Sequence, residues 1–272
     1  MIERKIKLAQ GKFSGILLAS DLDGTLLSNE AIPKRNSDAI KYFTENGGYF
    51  TVATGRTQAT IAPFFHILGA NAPLLMCNGM QIYDSQKDEY VFQDFMPSYA
   101  FSLFEYIVNA FPTEVFVISS RGKVYDVSAE KEGFLRVDDV RHLAEYMNKF
   151  VSILPSVEFA KGVEKAAEDF IKENKLDGVG TMYSWPTHLE FVKTCVDKGN
   201  ALSRLARHLN VEWKNVFAIG DYMNDIPMLD AAHISFAPQN AIEQAKKAAT
   251  HIVCSCDDGA VADAIEAIEK ML

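Results

Sequence analysis

Ile16-Leu17-Leu18-Ala19-Ser20-Asp21-Leu22-Asp23-Gly24-Thr25 is the stretch on which the fold turns. The compact apolar run Ile16–Ser20 predicts a buried strand, and it stops at two aspartates followed by the turn former Gly24. Outward from it, Pro33–Asn46 carries helical spacing (Ile40, Phe43) and halts at Gly47-Gly48, while Tyr49–Ala53 predicts a second strand. Thr57–Leu68 predicts a helix with Ile61, Phe64, Phe65 and Leu68 on one side, and Leu74–Cys77 a third strand. This β-α-β-α-β rhythm argues for a parallel sheet covered by helices.

The same rhythm returns at the C-terminal end. Lys198–Leu209, Asp225–Ala232, Ala241–Ala249 and Val261–Met271 predict helices, alternating with strands at Val216–Ile219, Ile234–Ala237 and His251–Cys254. Between the two ends the pattern changes. Glu114–Ser119 and Lys123–Val127 flank the turn signal Ser120-Arg121-Gly122, and Val179–Tyr183 and His188–Lys193 flank Ser184-Trp185-Pro186. Helices are expected at Tyr99–Ala110, Asp139–Lys149 and Val163–Asn174. The expected architecture is α/β: a Rossmann-like, doubly wound parallel sheet from residues 1–85 and 194–272, with an α+β unit of residues 86–193 inserted in it as a cap domain.

The 272 residues suffice for one large or two ordinary domains, and 48% hydrophobic with 23% charged residues is ordinary globular usage. A net charge of -9, without a block of like charges, disfavours nucleic acid or an anionic membrane surface as a partner. An acidic chain that handles an anionic ligand needs a local positive centre: lysine, arginine, a helix N-terminus or a divalent metal. Cys77, Cys195, Cys254 and Cys256 lack the paired spacing of a zinc site and read as free thiols in a reducing compartment. Arg4, Lys5, Lys7 and Lys12 precede an apolar stretch too short and too interrupted for a signal peptide, and no window approaches the ~20 apolar residues of a membrane helix, so a cytoplasmic location is expected.

Ligands of open α/β sheets bind beyond the carboxyl ends of the strands. There the chain carries Asp21-Leu22-Asp23-Gly24-Thr25, Thr54-Gly55-Arg56 and Gly220-Asp221-Tyr222-Met223-Asn224-Asp225, with Lys198-Gly199 opening a helix just before the last of these strands. Asp21, Asp23, Asp221 and Asp225 bring four carboxylates near one mouth, where they raise one another's pKa values unless a cation sits among them. Oxygen ligands favour a hard ion, and the spacing of Asp21–Gly24 is not that of an EF-hand calcium loop. Magnesium takes one or two carboxylates plus substrate phosphate, which leaves a carboxylate free as a nucleophile. Lys198 then supplies a point charge, Thr54 and Asn224 neutral donors, and Gly24 and Gly55 close backbone approach to a phosphoryl group.

In order along the chain, these four segments resemble the four motifs of the haloacid dehalogenase (HAD) superfamily in its phosphatase form. Cys77-Asn78-Gly79 and Asp258-Gly259-Ala260-Val261 are similar to two landmarks of the Cof-type, or type IIB, branch, whose large cap lies between the second and third motifs, as the insert does here. The resemblance covers the chain after residue 14, with Pro238-Gln239 standing before Asn240 where the branch usually has Met-Gly. It implies a magnesium-dependent phosphatase acting on a small phosphorylated metabolite, a sugar phosphate or similar, through an aspartyl-phosphate on Asp21. It implies Asp23 as acid and base, and Mg2+ held by the side chains of Asp21 and Asp221 and the backbone carbonyl of Asp23. Thr54, Gly55, Lys198 and Asn224 would meet the phosphoryl oxygens, Asp225 would orient Lys198 or a metal-bound water, and Arg56 would brace the loop or touch substrate. A monomer or weak homo-oligomer is expected.

Two alternatives belong beside this. A phosphotransferase or phosphomutase of the same fold would pass the phosphoryl group to another sugar, and Gly24 argues mildly against it. A non-catalytic phosphate-ligand binding protein would be marked by loss of a motif residue, yet Asp21, Asp23, Lys198 and Asp221 all stand. His188, Glu190, Trp185 and Phe92 are candidate pocket residues.

Overall fold

The computed structural model describes residues 11–272; Arg4, Lys5 and Lys7 lie outside the described residues. Five parallel strands form the central sheet in the order His251–Val253, Ile234–Pro238, Val216–Ile219, Leu17–Ser20, Tyr49–Val52. Leu17–Ser20 is buried throughout, and its alternation feeds two cores. Leu18 packs with Ile40, Phe43, Val261 and Ile265 of helices Lys34–Glu45 and Ala260–Met271. Leu17 and Ala19 pack with Leu202, Leu205 and Met228 of helices Lys198–His208 and Ile226–Ala231 on the other face. The expected doubly wound sheet is present. The chain leaves the first strand towards Tyr49–Val52 and later fills its other side with Val216–Ile219, so the strand order reverses beside Asp21, where such sheets bind ligands.

The expected helix Thr57–Leu68 shortens to Gln58–Ile61 and a 3-10 turn Ala62–Phe64, because Pro63 has no N–H to donate and its ring crowds the preceding turn. Leu74–Met76 meets the parallel sheet through a bridge between Ala53 and Leu75, and otherwise pairs antiparallel with Gln81–Asp84, which pairs in turn with Glu89–Gln93. Residue 86 therefore falls in the turn of a hairpin that stays beside the parallel sheet.

The inserted unit is built on a five-stranded antiparallel sheet in the order Lys123–Val127, Phe116–Ser120, Met147–Ile153, His188–Lys193, Val179–Trp185. Its central strand corrects the sequence reading of a helix at Asp139–Lys149. Helical turns end at Tyr146, and Phe150, Val151 and Ile153 follow in a strand paired on both sides. Cross-strand packing of aromatic and β-branched residues outweighs the local helical spacing. One face of this sheet, with Phe116, Ile118, Phe150, Leu189 and Phe191, is buried against helices Ala100–Ala110 and Val157–Asn174. The opposite face looks onto the carboxyl ends of the parallel strands. All four cysteines are free. No helix among the described residues is long and apolar enough to cross a membrane.

Candidate active site

Asp21 directly follows the strand Leu17–Ser20, and Thr54 and Asp221 lie two residues past the strands on either side of it, so the three side chains share one mouth. Carboxylate oxygens of Asp21, Asp221 and Asp225 lie within 4.8 Å of one another, all buried. Lys198 enters the cluster from the first turn of its helix, whose N-cap Asp197 accepts from the backbone N–H of Asn200 at 2.7 Å. It is fully buried, and its Nζ donates to Asp21 Oδ1 and Asp225 Oδ1, both at 2.6 Å. The second oxygen of Asp225 accepts the backbone N–H groups of Asp221 and Tyr222, each at 3.0 Å. Asp225 is thereby occupied in holding Lys198 and closing its own loop. Asp221 Oδ1 accepts the Thr25 hydroxyl at 2.6 Å. Gly24, at a φ of 89°, must be glycine: a Cβ there would stand 2.7 Å from Asp221 Oδ2.

Burial and the neighbouring charge of Asp225 push the Asp21 carboxyl well above the usual carboxylate range, against the opposing pull of Lys198. Asp221 is pushed up to about 6, first by burial and then by Asp225, with the Thr25 hydroxyl opposing. Burial alone would lower Lys198, but Asp21 and Asp225 more than reverse that and hold it as an ammonium. Three oxygen-only acids with one internal cation leave an excess of negative charge, and two of those acids resist ionising. That donor chemistry fits a hard divalent cation against Asp21 and Asp221.

The carboxylate of Asp23 is turned away from this cluster. It is paired with Arg56, Nε to Oδ2 at 2.9 Å and Nη2 to Oδ1 at 2.6 Å, and is half exposed. The guanidinium also lies 4.7 Å above the Phe64 ring and donates to the Thr60 carbonyl. Thr54 Oγ1 accepts the Arg56 backbone N–H at 3.1 Å, which leaves the hydroxyl hydrogen to donate into the mouth.

Asn224 does not stand alone. Its Nδ2 donates to Asn78 Oδ1 at 3.0 Å, and Asn78 Nδ2 donates to Glu190 Oε2 at 2.9 Å. Asn78 is placed there by consecutive left-handed residues, Cys77 and Asn78, at φ 51° and 53°. Glu190 forms a buried ion pair with Lys149 at 2.7 Å, and Lys149 donates to the Gly55 carbonyl at 2.8 Å. This polar chain runs from the inserted sheet to the Thr54-Gly55 and Asp221–Asp225 loops. The Pro238-Gln239 departure leaves Asn240 donating to the Gly24 carbonyl at 2.8 Å.

The mouth opens into a cavity of about 630 Å³ between the two units, well within the size of small-molecule sites. Asp21, Asp23, Thr54, Gly55, Arg56, Asp221, Asn224 and Asp225 line it, and Lys198 sits behind them. His188, Glu190 and Trp185 line it too, whereas Phe92 packs beneath the Arg204 guanidinium. Sequence reasoning missed Lys149, Val117, Val151 and Tyr222, which also face the cavity. The first three would follow from period-two alternation once their strands are known; Lys149 was hidden in a helix reading.

The family of haloacid dehalogenase-like hydrolases matches residues 18–265. Phosphatase YwpJ of Bacillus subtilis (strain 168) is 28% identical over 90% of this chain and 97% of its own. Pyridoxal phosphate phosphatase YbhA of Escherichia coli (strain K12) is 28% identical over 87% and 92%. A HAD/COF-like hydrolase structure from Plasmodium vivax superposes with a TM-score of 0.80 at 24% identity, covering all of both chains. The chain belongs to the haloacid dehalogenase-like hydrolase family. Within it the chain is a Cof-type phosphatase, a hydrolase of phosphoric monoesters.

Proposed function

We propose that the protein hydrolyses a small phosphomonoester with magnesium, through an aspartyl-phosphate on Asp21. The observation that carries this is the buried Asp21 carboxylate at the end of a central strand, 2.6 Å from a fully buried Lys198 and beside Asp221. Asp21 is the nucleophile: its strand and Lys198 fix the carboxylate, and attack on phosphorus splits the hydrolysis into two easier displacements. Lys198, Thr54, the Gly55 backbone and Asn224 hold the phosphoryl oxygens, where charge develops in the transition state. Asp23 protonates the leaving alcohol and then takes a proton from the attacking water. In the present arrangement it is engaged by Arg56, so substrate entry must reorganise that pair. Asp21 and Asp221, with the Asp23 carbonyl, would hold the magnesium, which supplies positive charge to the transferring group.

We propose further that residues 94–193 act as the cap, a boundary eight residues later than the sequence reading, because the hairpin Gln81–Gln93 pairs beside the parallel sheet. The activities of the relatives, among them a pyridoxal phosphate phosphatase, support a phosphorylated metabolite as substrate. Phosphate release from an aryl phosphate should require magnesium and stop on chelation, and Asp21→Asn should abolish it while circular dichroism stays unchanged. Full turnover by Asp21→Asn would refute the assignment.

A further inference from the structure

The cavity floor contributed by the inserted sheet is a set of cross-strand rows. The strand register sets Val124 opposite Ser119 and Ser119 opposite Lys149. The next row runs Val117, Val151, Glu190. The outermost row runs Ile153, His188, Trp185. Because strand side chains alternate, these residues share one face, and all of them line the cavity. Val117 and Val151 therefore lie side by side in the middle of the floor, with the Lys149–Glu190 pair at their edge and Ile153 and Trp185 in the outermost row.

The cations around the cavity are each engaged. Lys149, 6% exposed at its side chain, is paired with Glu190 and bonded to the Gly55 carbonyl. Arg56 is engaged on two atoms by Asp23. Lys198 lies behind the reaction centre, between Asp21 and Asp225. Among the described residues lining the cavity, no other lysine or arginine occurs, and His188 is lowered by burial towards its neutral form. Over the inserted sheet, away from the Arg56 side of the mouth, a second phosphate or a carboxylate on the substrate would thus meet Glu190 and no free cation. At the mouth, Trp185 from the insert and Tyr222 from the Asp221 loop face each other with ring centroids 6.0 Å apart and planes 26° from parallel. They offer flat apolar surface over the entrance.

Resting on the phosphatase reading above, we propose that this cavity selects phosphomonoesters whose leaving alcohol carries no further negative charge and lays an apolar or aromatic face on Val117, Val151, Ile153 and Trp185. Four esters of primary alcohols test it with the full-length, magnesium-loaded protein: benzyl phosphate, ethyl phosphate, phosphoglycolate and glucose 6-phosphate. The expected order in kcat/KM places benzyl phosphate at least tenfold above ethyl phosphate and glucose 6-phosphate, with phosphoglycolate lowest. Ile153→Lys, at a rim position 66% exposed and so tolerant of substitution, should raise the phosphoglycolate-to-ethyl phosphate ratio at least fivefold. Phosphoglycolate or glucose 6-phosphate equalling benzyl phosphate would overturn the proposal, as would an unmoved ratio in Ile153→Lys.

A binding measurement separates this from the catalytic reading. Benzylphosphonate should bind the native protein at least tenfold tighter than phosphonoacetate by calorimetry. If no ester is hydrolysed but that preference holds, the catalytic reading fails and the cavity's selectivity stands. Equal binding of the two phosphonates overturns the selectivity, whatever the turnover.

Discussion

Replacing Lys198 by methionine tests the electrostatic logic of the site directly. The ammonium is fully buried and lies 2.6 Å from each of two buried carboxylates, Asp21 and Asp225. Methionine keeps most of the aliphatic stem and removes the charge. Taking one partner from a buried ion pair costs about 3–5 kcal/mol, because the other charge is left unpaired. Here two carboxylates lose the same partner, so the upper part of that range applies. Against a total stability of about 5–15 kcal/mol this is a large fraction, equivalent to a fall in Tm on the order of 10 °C. The sign with pH follows from the raised Asp21 carboxyl. Without the ammonium, folding favours protonated Asp21 still more, so the loss should be largest at pH 7.5 and shrink towards pH 5. Magnesium should restore part of it by supplying the missing positive charge. Urea unfolding in the presence of a chelator, followed by the fluorescence of Trp185 and Trp213, measures this at both pH values. A loss below about 1 kcal/mol, or one that does not change with pH, would refute the pairing argument.

Three further outcomes follow from the same geometry. Asp221, raised from 3.8 to about 6, contributes stability to the metal-free protein that is full below pH 4 and is lost as pH rises through 6, a swing of about 3 kcal/mol. Metal-free Asp221→Asn should therefore be the more stable protein at pH 7.5, with the gap closing towards pH 4.5; equal urea midpoints at pH 7.5 would contradict this. Gly24→Ala, facing a contact of 2.7 Å with Asp221 at a φ of 89°, should cost about 1–3 kcal/mol and most of the turnover, read by thermal unfolding and phosphate release. Glu190→Gln keeps an acceptor for Asn78 but frees the Lys149 ammonium within the cavity, so kcat/KM for phosphoglycolate should rise relative to ethyl phosphate; an unchanged ratio would mean that Lys149 does not face the leaving group.

The parallel-sheet core and the placing of the acidic residues at its strand ends are legible in the residue order alone. Ile16–Ser20 is too uniformly apolar to be anything but buried, and Asp21, Thr54 and Asp221 stand where three strands must end, because short-range pattern and strand-end placement are local properties. What required the tertiary structure was each partnership across distance. Asp225 and Lys198, 27 residues apart, meet only because a helix start and a loop converge behind Asp21. The carboxylate of Asp23 pairs with Arg56 rather than joining the other acids, a choice of side-chain direction that spacing does not encode. The central strand Met147–Ile153 begins inside a stretch of helical spacing, because its stabilisation comes from strands on both sides that are remote in sequence. Lys149 is hidden by that helical spacing, whereas Val117 stands on an expected strand whose cavity-facing side only the pairing with Met147–Ile153 reveals. Nonlocal pairing decides which face a strand residue shows, and the cavity's selectivity is written on that face.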